Sequence, residues 1–219
     1  MYFPFFFLAP LLLILIKNAG LLPPHLVNLL PRWFRYPATV VLFWPQVLST
    51  RLFCFLGEAL RCSSVRLLNR VSPSLVLGVA PVFPSFVEAL FAEHNVRGVI
   101  NLCAEWDGNA ALYAARGIQQ LYLPTIDFEA PALKDVLRAL AFIDAHERRG
   151  FSTYIHCKAG RGRSAIVALA YFVVKQGLSP QAADALVRAK RPNISRGKAE
   201  LPLFKELLAH LEALAAAGS

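Results

Sequence analysis

Twenty consecutive residues, IHCKAGRGRSAIVALAYFVV (155–174), constrain this chain more than any other stretch of it. Apolar and aromatic residues lead up to Cys157, a loop of small and basic residues follows, and from about Arg163 the chain reads as an apolar helix. A strand that stops, turns through glycines and feeds a helix aims successive backbone N–H groups and the positive end of the helix dipole at one place. That place adjoins the Cys157 sulfur. It suits a phosphate dianion, and it favours the thiolate, the form of cysteine that attacks phosphorus.

The neighbouring residues fit the same chemistry. Lys158, Ala159, Gly160, Arg161 and Gly162 form the expected phosphate-binding loop. Gly160 and Gly162 allow close backbone approach, and positive φ where the turn needs it. Arg163 can give two parallel hydrogen bonds to phosphate oxygens as charge shifts in the transition state. Ser164 can donate to the sulfur when it leaves, and His156 is expected to orient the loop through ring hydrogen bonds. A bare C-x5-R is common by chance, but H-C-x-x-G-x-x-R-S between a strand and a helix is specific. The nucleotide-binding pattern G-x-x-x-x-G-K-[ST] is absent.

Thiolate chemistry also needs an acid for the leaving oxygen and a base for water. Asp127, in LPTIDFEAP between a strand and a helix, is the candidate; Glu129 in the same loop is the alternative. Asp107, in WDGN, is weaker and reads as a helix cap or turn residue.

Around this string the chain alternates strands and helices. SLVLGVA (74–80), VRGVINLC (96–103), GIQQLYLPT (117–125) and STYIHC (152–157) read as strands. Helices are predicted over 84–95, 131–149, 163–176, 180–189 and 199–216, with Gly150 as a stop. The pattern implies an α/β domain: three layers, a largely parallel central sheet and helices on both faces.

The 219 residues suffice for one catalytic domain with a short appendage, divided here into 1–60 and 61–216. A mean hydropathy of +0.47 is high for a freely soluble domain. The apolar excess is regional: MYFPFFFLAPLLLILI opens the chain, and no acidic residue precedes Glu58. The opening run is short for a full span, and its positive charge, Lys17, follows the apolar part instead of preceding it. An uncleaved anchor or the apolar part of an import sequence fits it. The stretch 38–48, broken by Pro45 and flanked by Trp33, Trp44 and arginines, reads as a membrane-surface element or as a segment packed on the catalytic domain.

A net charge of +9 fits an anionic membrane surface or a phosphorylated substrate. No nucleic-acid module is present, so nucleic acid is not an expected partner. Cys54, Cys62 and Cys103 lack disulfide or metal spacing and read as small buried hydrophobes. The histidines His94, His146, His156 and His210 are scattered and read as surface or capping residues, so no metal or cofactor is expected.

At HCKAGRGRS the chain resembles the dual-specificity branch of the protein tyrosine phosphatases, and within it the mitochondrial group that acts on phosphatidylglycerophosphate. RVSPSLVLGVAP, AEHNVRGVINLCAEWD, LPTIDFEAP and GLSPQAADALVRAKRPNISRGKAEL carry the likeness, as does LFWPQVL ahead of the domain. The resemblance implies that Cys157 is the nucleophile, Arg163 the phosphate ligand, Asp127 the general acid and Ser164 the donor to the leaving thiolate. It also makes Glu105 an acidic-loop residue. Gly162 and Glu200 depart from the group, which commonly has Ser and Gln there. The implied activity is conversion of phosphatidylglycerophosphate to phosphatidylglycerol, toward cardiolipin, with phosphoprotein or phosphoinositide substrates as alternatives. The implied place is the matrix side of the mitochondrial inner membrane, or the cytoplasmic face of the inner membrane in a bacterium.

Overall fold

The structure, a computed structural model, describes residues 31–59 and 66–217. The apolar opening run and Cys62 lie outside them. Two helices come first, α1 (Arg32–Val41) and α2 (Phe43–Ala59). The α/β order follows: β1 (Leu68–Ser72), β2 (Leu75–Gly78), α3 (Pro84–His94), β3 (Val96–Cys103), α4 (Ala110–Ala115), β4 (Gln119–Thr125), α5 (Leu133–Glu147), β5 (Ser152–His156), α6 (Arg163–Gln176), α7 (Pro180–Lys190) and α8 (Pro202–Ala217).

The sheet runs β1-β2-β5-β3-β4. Only β1 is antiparallel, so the expected three-layer, largely parallel α/β arrangement is the one observed. All five residues of β5 are buried, and the strand lies between β2 and β3, with Ile155 level with Leu77 and Ile100. Alternation sends its neighbours to opposite faces. Ile155 joins Leu77, Ile100 and the helices α5 and α6, whereas Tyr154 joins Val76, Val99 and α3. Two cores therefore clamp the strand that ends at Cys157.

The first eleven residues of α6 are all buried, which explains its lack of a polar face. Sequence periodicity did not reveal β1 or α4: β1 is a short edge strand with one fully buried residue, and α4 spans six residues. Asp107 does not cap α4, where Asn109 holds that position; it lies in the irregular stretch before it, and the Asp107 carbonyl accepts from Gln120 Nε2 at 2.8 Å.

Pro45 does not break the N-terminal segment. It lies in the first turn of α2, where a proline costs no helical hydrogen bond, and the interruption falls at Leu42. One face of this helix pair packs on the domain: Phe43 and Val47 enter the core, and Phe43 stacks on Trp106 at 6.0 Å. Among the described residues no helix is long and apolar enough to cross a membrane. Cys54 and Cys103 are buried free thiols, as expected. His146 corrects the surface reading: it is buried, with Nδ1 2.9 Å from the Phe142 carbonyl.

Candidate active site

The loop between β5 and α6 emerges at the carboxyl edge of the sheet, and four consecutive carbonyls tie it down. That of Lys158 accepts from the Ala80 amide at 3.1 Å and that of Arg161 from the Ser195 amide at 2.8 Å. Between them, the Gly160 carbonyl accepts from Arg191 Nε at 2.8 Å and the Ala159 carbonyl from Arg191 Nη2 at 3.2 Å. A trans peptide carries its N–H opposite its C=O, so anchoring these carbonyls outside the loop turns the amides that follow them inward, around Cys157. Gly160 has φ +65°, and a Cβ on it would stand 2.2 Å from the Gly78 carbonyl oxygen. The turn needs positive φ at Gly160 and not at Gly162, which has φ −110° and faces open space.

Inside the loop, Cys157 Sγ lies 3.3 Å from Ser164 Oγ. Burial on its own pushes this thiol up, but the Arg163 charge and the Ser164 hydroxyl and amide outweigh it, leaving the pKa below the usual thiol value. Arg163 has a side chain only 1% exposed. Its Nη1 donates to Glu105 Oε2 (2.8 Å), the Thr125 carbonyl (2.7 Å) and the Leu102 carbonyl (3.1 Å), while Nη2 donates to Glu105 Oε1 (2.7 Å). Nε is buried and has no hydrogen-bond partner among the described residues. Burial disfavours the charge, yet Asp127 and Glu105 hold it well above the ordinary arginine value, so the guanidinium stays ionised.

Asp127 sits in the same pocket. One carboxylate oxygen is 3.1 Å from Arg163 Nη2 and the other 2.6 Å from Lys158 Nζ. The next residue, Phe128, has φ +74°, a conformation that costs a non-glycine residue about 1–3 kcal/mol and is kept only where its surroundings demand it. Glu129, just beyond, is gripped from α1: Arg32 Nη2 reaches Oε2 at 2.6 Å and Arg35 Nη2 reaches Oε1 at 2.9 Å. The Arg32 hydrogen bond, with both arginine charges, draws the Glu129 pKa below the usual carboxylate value.

The structure brings Cys157, Ser164, Arg163, Glu105, Asp127 and Lys158 together. Arg161 instead turns to the surface, where its Nε donates to the Asn193 carbonyl at 2.8 Å, and Glu200 is exposed. His156 corrects the expectation of a surface or capping position. Its ring is fully buried, 5.7 Å from those of both Tyr154 and Trp106, with the Cys157 backbone beside it. Desolvation pushes its pKa down to about 3, so it is a neutral packing element behind the loop.

Two residues escaped the reading of the motif. Arg191 is fully buried and, besides the two loop carbonyls, donates to Asn69 Oδ1 at 2.7 Å and the Arg66 carbonyl at 3.1 Å. Lys198 is half-buried: burial lowers its pKa, while Cys157 and Asp127 act in the opposite sense, which places its ammonium within their electrostatic reach. The available signal was a cluster of four cations, Lys190, Arg191, Arg196 and Lys198, in the segment KRPNISRGKAE (190–200).

Residues 81–208 match the family described as dual specificity phosphatase, catalytic domain. The chain is 30% identical over 190 residues to the phosphatidylglycerophosphatase and protein-tyrosine phosphatase 1 of Rattus norvegicus, covering 84% of this chain and 96% of that protein. It is 37% identical over 135 residues to the phosphatidylglycerophosphate phosphatase PTPMT1 of Arabidopsis thaliana, which covers 60% of this chain but only 40% of the plant protein. A crystal structure of PTPMT1 in complex with PI(5)P superimposes with a TM-score of 0.60 at 27% identity, covering 66% of this chain and 99% of that one. The chain therefore belongs to the dual-specificity phosphatase family and is a cysteine-based phosphatase, a hydrolase of phosphoric monoesters.

Proposed function

We propose that the phosphomonoester is carried by a membrane lipid and is phosphatidylglycerophosphate, which the enzyme converts to phosphatidylglycerol. The observation that carries this reading is the alignment with a rat phosphatidylglycerophosphatase over nearly its whole length. The basic pocket of Lys158, Arg163 and Lys198 and the apolar segment ahead of the domain suit an anionic headgroup at a membrane surface. The proposed organisation is a membrane-associating region over 1–60 and a catalytic domain over 61–216. The proposed setting is the matrix side of the mitochondrial inner membrane, or the cytoplasmic face of a bacterial inner membrane.

In this scheme the phosphate sits among the loop amides of residues 158–163. Arg163 offers it Nε and, once Asp127 gives way, Nη2, the two N–H groups on one side of the guanidinium fork. Glu105 and the Leu102 and Thr125 carbonyls keep the fork oriented. The Cys157 thiolate attacks phosphorus, the ester P–O bond breaks, and Asp127 gives its proton to the leaving alkoxide. Water, deprotonated by Asp127, then attacks the phosphocysteine. The S–P bond breaks, and Ser164 donates to the departing thiolate, releasing inorganic phosphate.

A second reading, a phosphoprotein substrate, is supported by the protein-tyrosine phosphatase in the rat relative's name, and a phosphoinositide by PI(5)P in the solved structure. A panel of short-chain phosphatidylglycerophosphate, phosphotyrosyl peptide and phosphoinositides separates them. Phosphatidylglycerophosphate is expected to have the highest kcat/KM. Negligible turnover of it beside efficient turnover of the peptide would sink the lipid reading. Cys157→Ser is expected to abolish turnover while still binding substrate; residual turnover would remove the thiolate from the mechanism.

A further inference from the structure

Outside the catalytic pocket, the most organised unexplained feature is the helix pair α1–α2. Trp33, Val41, Trp44, Leu48, Leu52 and Phe55 are all more than half exposed, from 52% at Trp44 to 73% at Trp33. Apart from the step between Trp33 and Val41, filled by the exposed Tyr36 and Val40, they recur every three or four residues, so they form one stripe along the helices. Arg35, Thr39, Phe43 and Val47 line the opposite, packed side. An apolar stripe of this length on a water-soluble surface is costly and marks a docking face.

The occupant this face fits is a lipid surface. The sequence immediately ahead of α1 is apolar and holds no carboxylate, and the first acidic residue of the chain is Glu58. Two tryptophans on the stripe, Trp33 and Trp44, match the interfacial depth of a bilayer. The packed side of the same helices holds the loops of the active site. Arg32 and Arg35 grip Glu129, two residues from Asp127. Between Asp127 and Glu129 lies Phe128 at φ +74°, a backbone state that needs support from both sides.

We propose that α1–α2 docks on an anionic bilayer through this stripe, and that the seated helix holds the acid loop over the phosphate through Glu129. Glu129 is then a positioning residue. The inference rests on the reading of Asp127 as general acid, and it concerns the regulation of that site by the surface that presents the substrate.

The experiment uses the full chain, phosphatidylserine-containing vesicles free of substrate, and two soluble substrates, phenyl phosphate and p-nitrophenyl phosphate. Phenoxide leaves poorly without a proton and nitrophenoxide leaves well, so a misplaced acid slows the first selectively. Glu129→Gln and Arg35→Gln are each expected to lower kcat on phenyl phosphate about tenfold and on p-nitrophenyl phosphate about twofold, with the double variant no worse than either single one. Vesicles are expected to raise phenyl phosphate turnover in the parent and not in Glu129→Gln. Lipids brominated in the upper acyl chain are expected to quench the fluorescence of the parent but not of Trp33→Phe/Trp44→Phe, which keeps only Trp106.

Equal losses on both substrates would make Glu129 merely structural and overturn the proposal. So would vesicles that quench without activating. Absence of quenching would mean that residues 1–30 or a protein partner cover the stripe. If Asp127→Asn lowers both substrates equally, the assignment of the acid has failed instead.

Discussion

Lys158 and Asp127 form a 2.6 Å ion pair, with the second oxygen of Asp127 3.1 Å from Arg163. In the proposed mechanism the substrate phosphate needs the same two cations, so the Asp127 carboxylate competes with it for them. On that proposal, substrate entry displaces the Asp127 carboxylate from the guanidinium, and Asp127 takes up a proton before it serves the leaving group as acid.

Replacing Asp127 by Asn should therefore separate binding from chemistry. We expect kcat on a lipid phosphomonoester to fall by about 10²–10⁴-fold and the basic limb of the kcat/KM profile to disappear. Inorganic phosphate, freed from competition with a carboxylate, should bind several-fold more tightly, as read by inhibition of p-nitrophenyl phosphate turnover. Weaker phosphate binding would show that Asp127 does not occupy the anion site.

Arg191 is expected to matter as much as a catalytic residue without touching substrate. It satisfies the Ala159, Gly160 and Arg66 carbonyls and the Asn69 amide oxygen from a fully buried position. Arg191→Leu leaves these acceptors without their donor, at about 1–3 kcal/mol for each that stays buried and unpaired. A drop of at least 3 kcal/mol in chemical denaturation, with kcat lost in the fraction that remains folded, is the expected result.

The two loop glycines should differ sharply. Gly160→Ala places a methyl group 2.2 Å from the Gly78 carbonyl at a φ of +65°, so loop and strand must separate, and activity should be lost with the fold largely kept. Gly162→Ser meets open space at an ordinary φ and should leave kcat within about twofold of the parent, since surface changes away from such strain have small effects. A matched pair of kinetic and thermal-melting measurements checks both.

His156 gives stability a pH dependence. Its folded-state pKa is about 3, against the ordinary 6.5, because the ring is fully desolvated. Between those values the unfolded chain binds a proton that the folded chain refuses. The His156 contribution is therefore complete above pH 6.5 and is lost as pH falls toward 3, with a limiting slope of about 1.4 kcal/mol per pH unit. Denaturation curves at pH 7 and 4.5 should show a shallower loss for His156→Phe than for the parent.

What the sequence by itself determined is local. The strand, loop and helix around Cys157 are contiguous, so Cys157, Arg163, Ser164 and the glycine loop were legible together, and α3, α5, α6 and α7 followed from periodicity and their Pro and Gly boundaries. Asp127 was legible because it stands in a loop between a strand and a helix. The tertiary structure alone decided the rest: Glu105 clamps Arg163 across 58 residues, Arg191 carries a loop 31 residues away, and Arg32 reaches Glu129 across 97. Single charged residues carry no period along the chain. Only the packing of both cores around β5 decides which of them lose water together, and desolvation makes those pairings strong. The same packing makes His156 neutral.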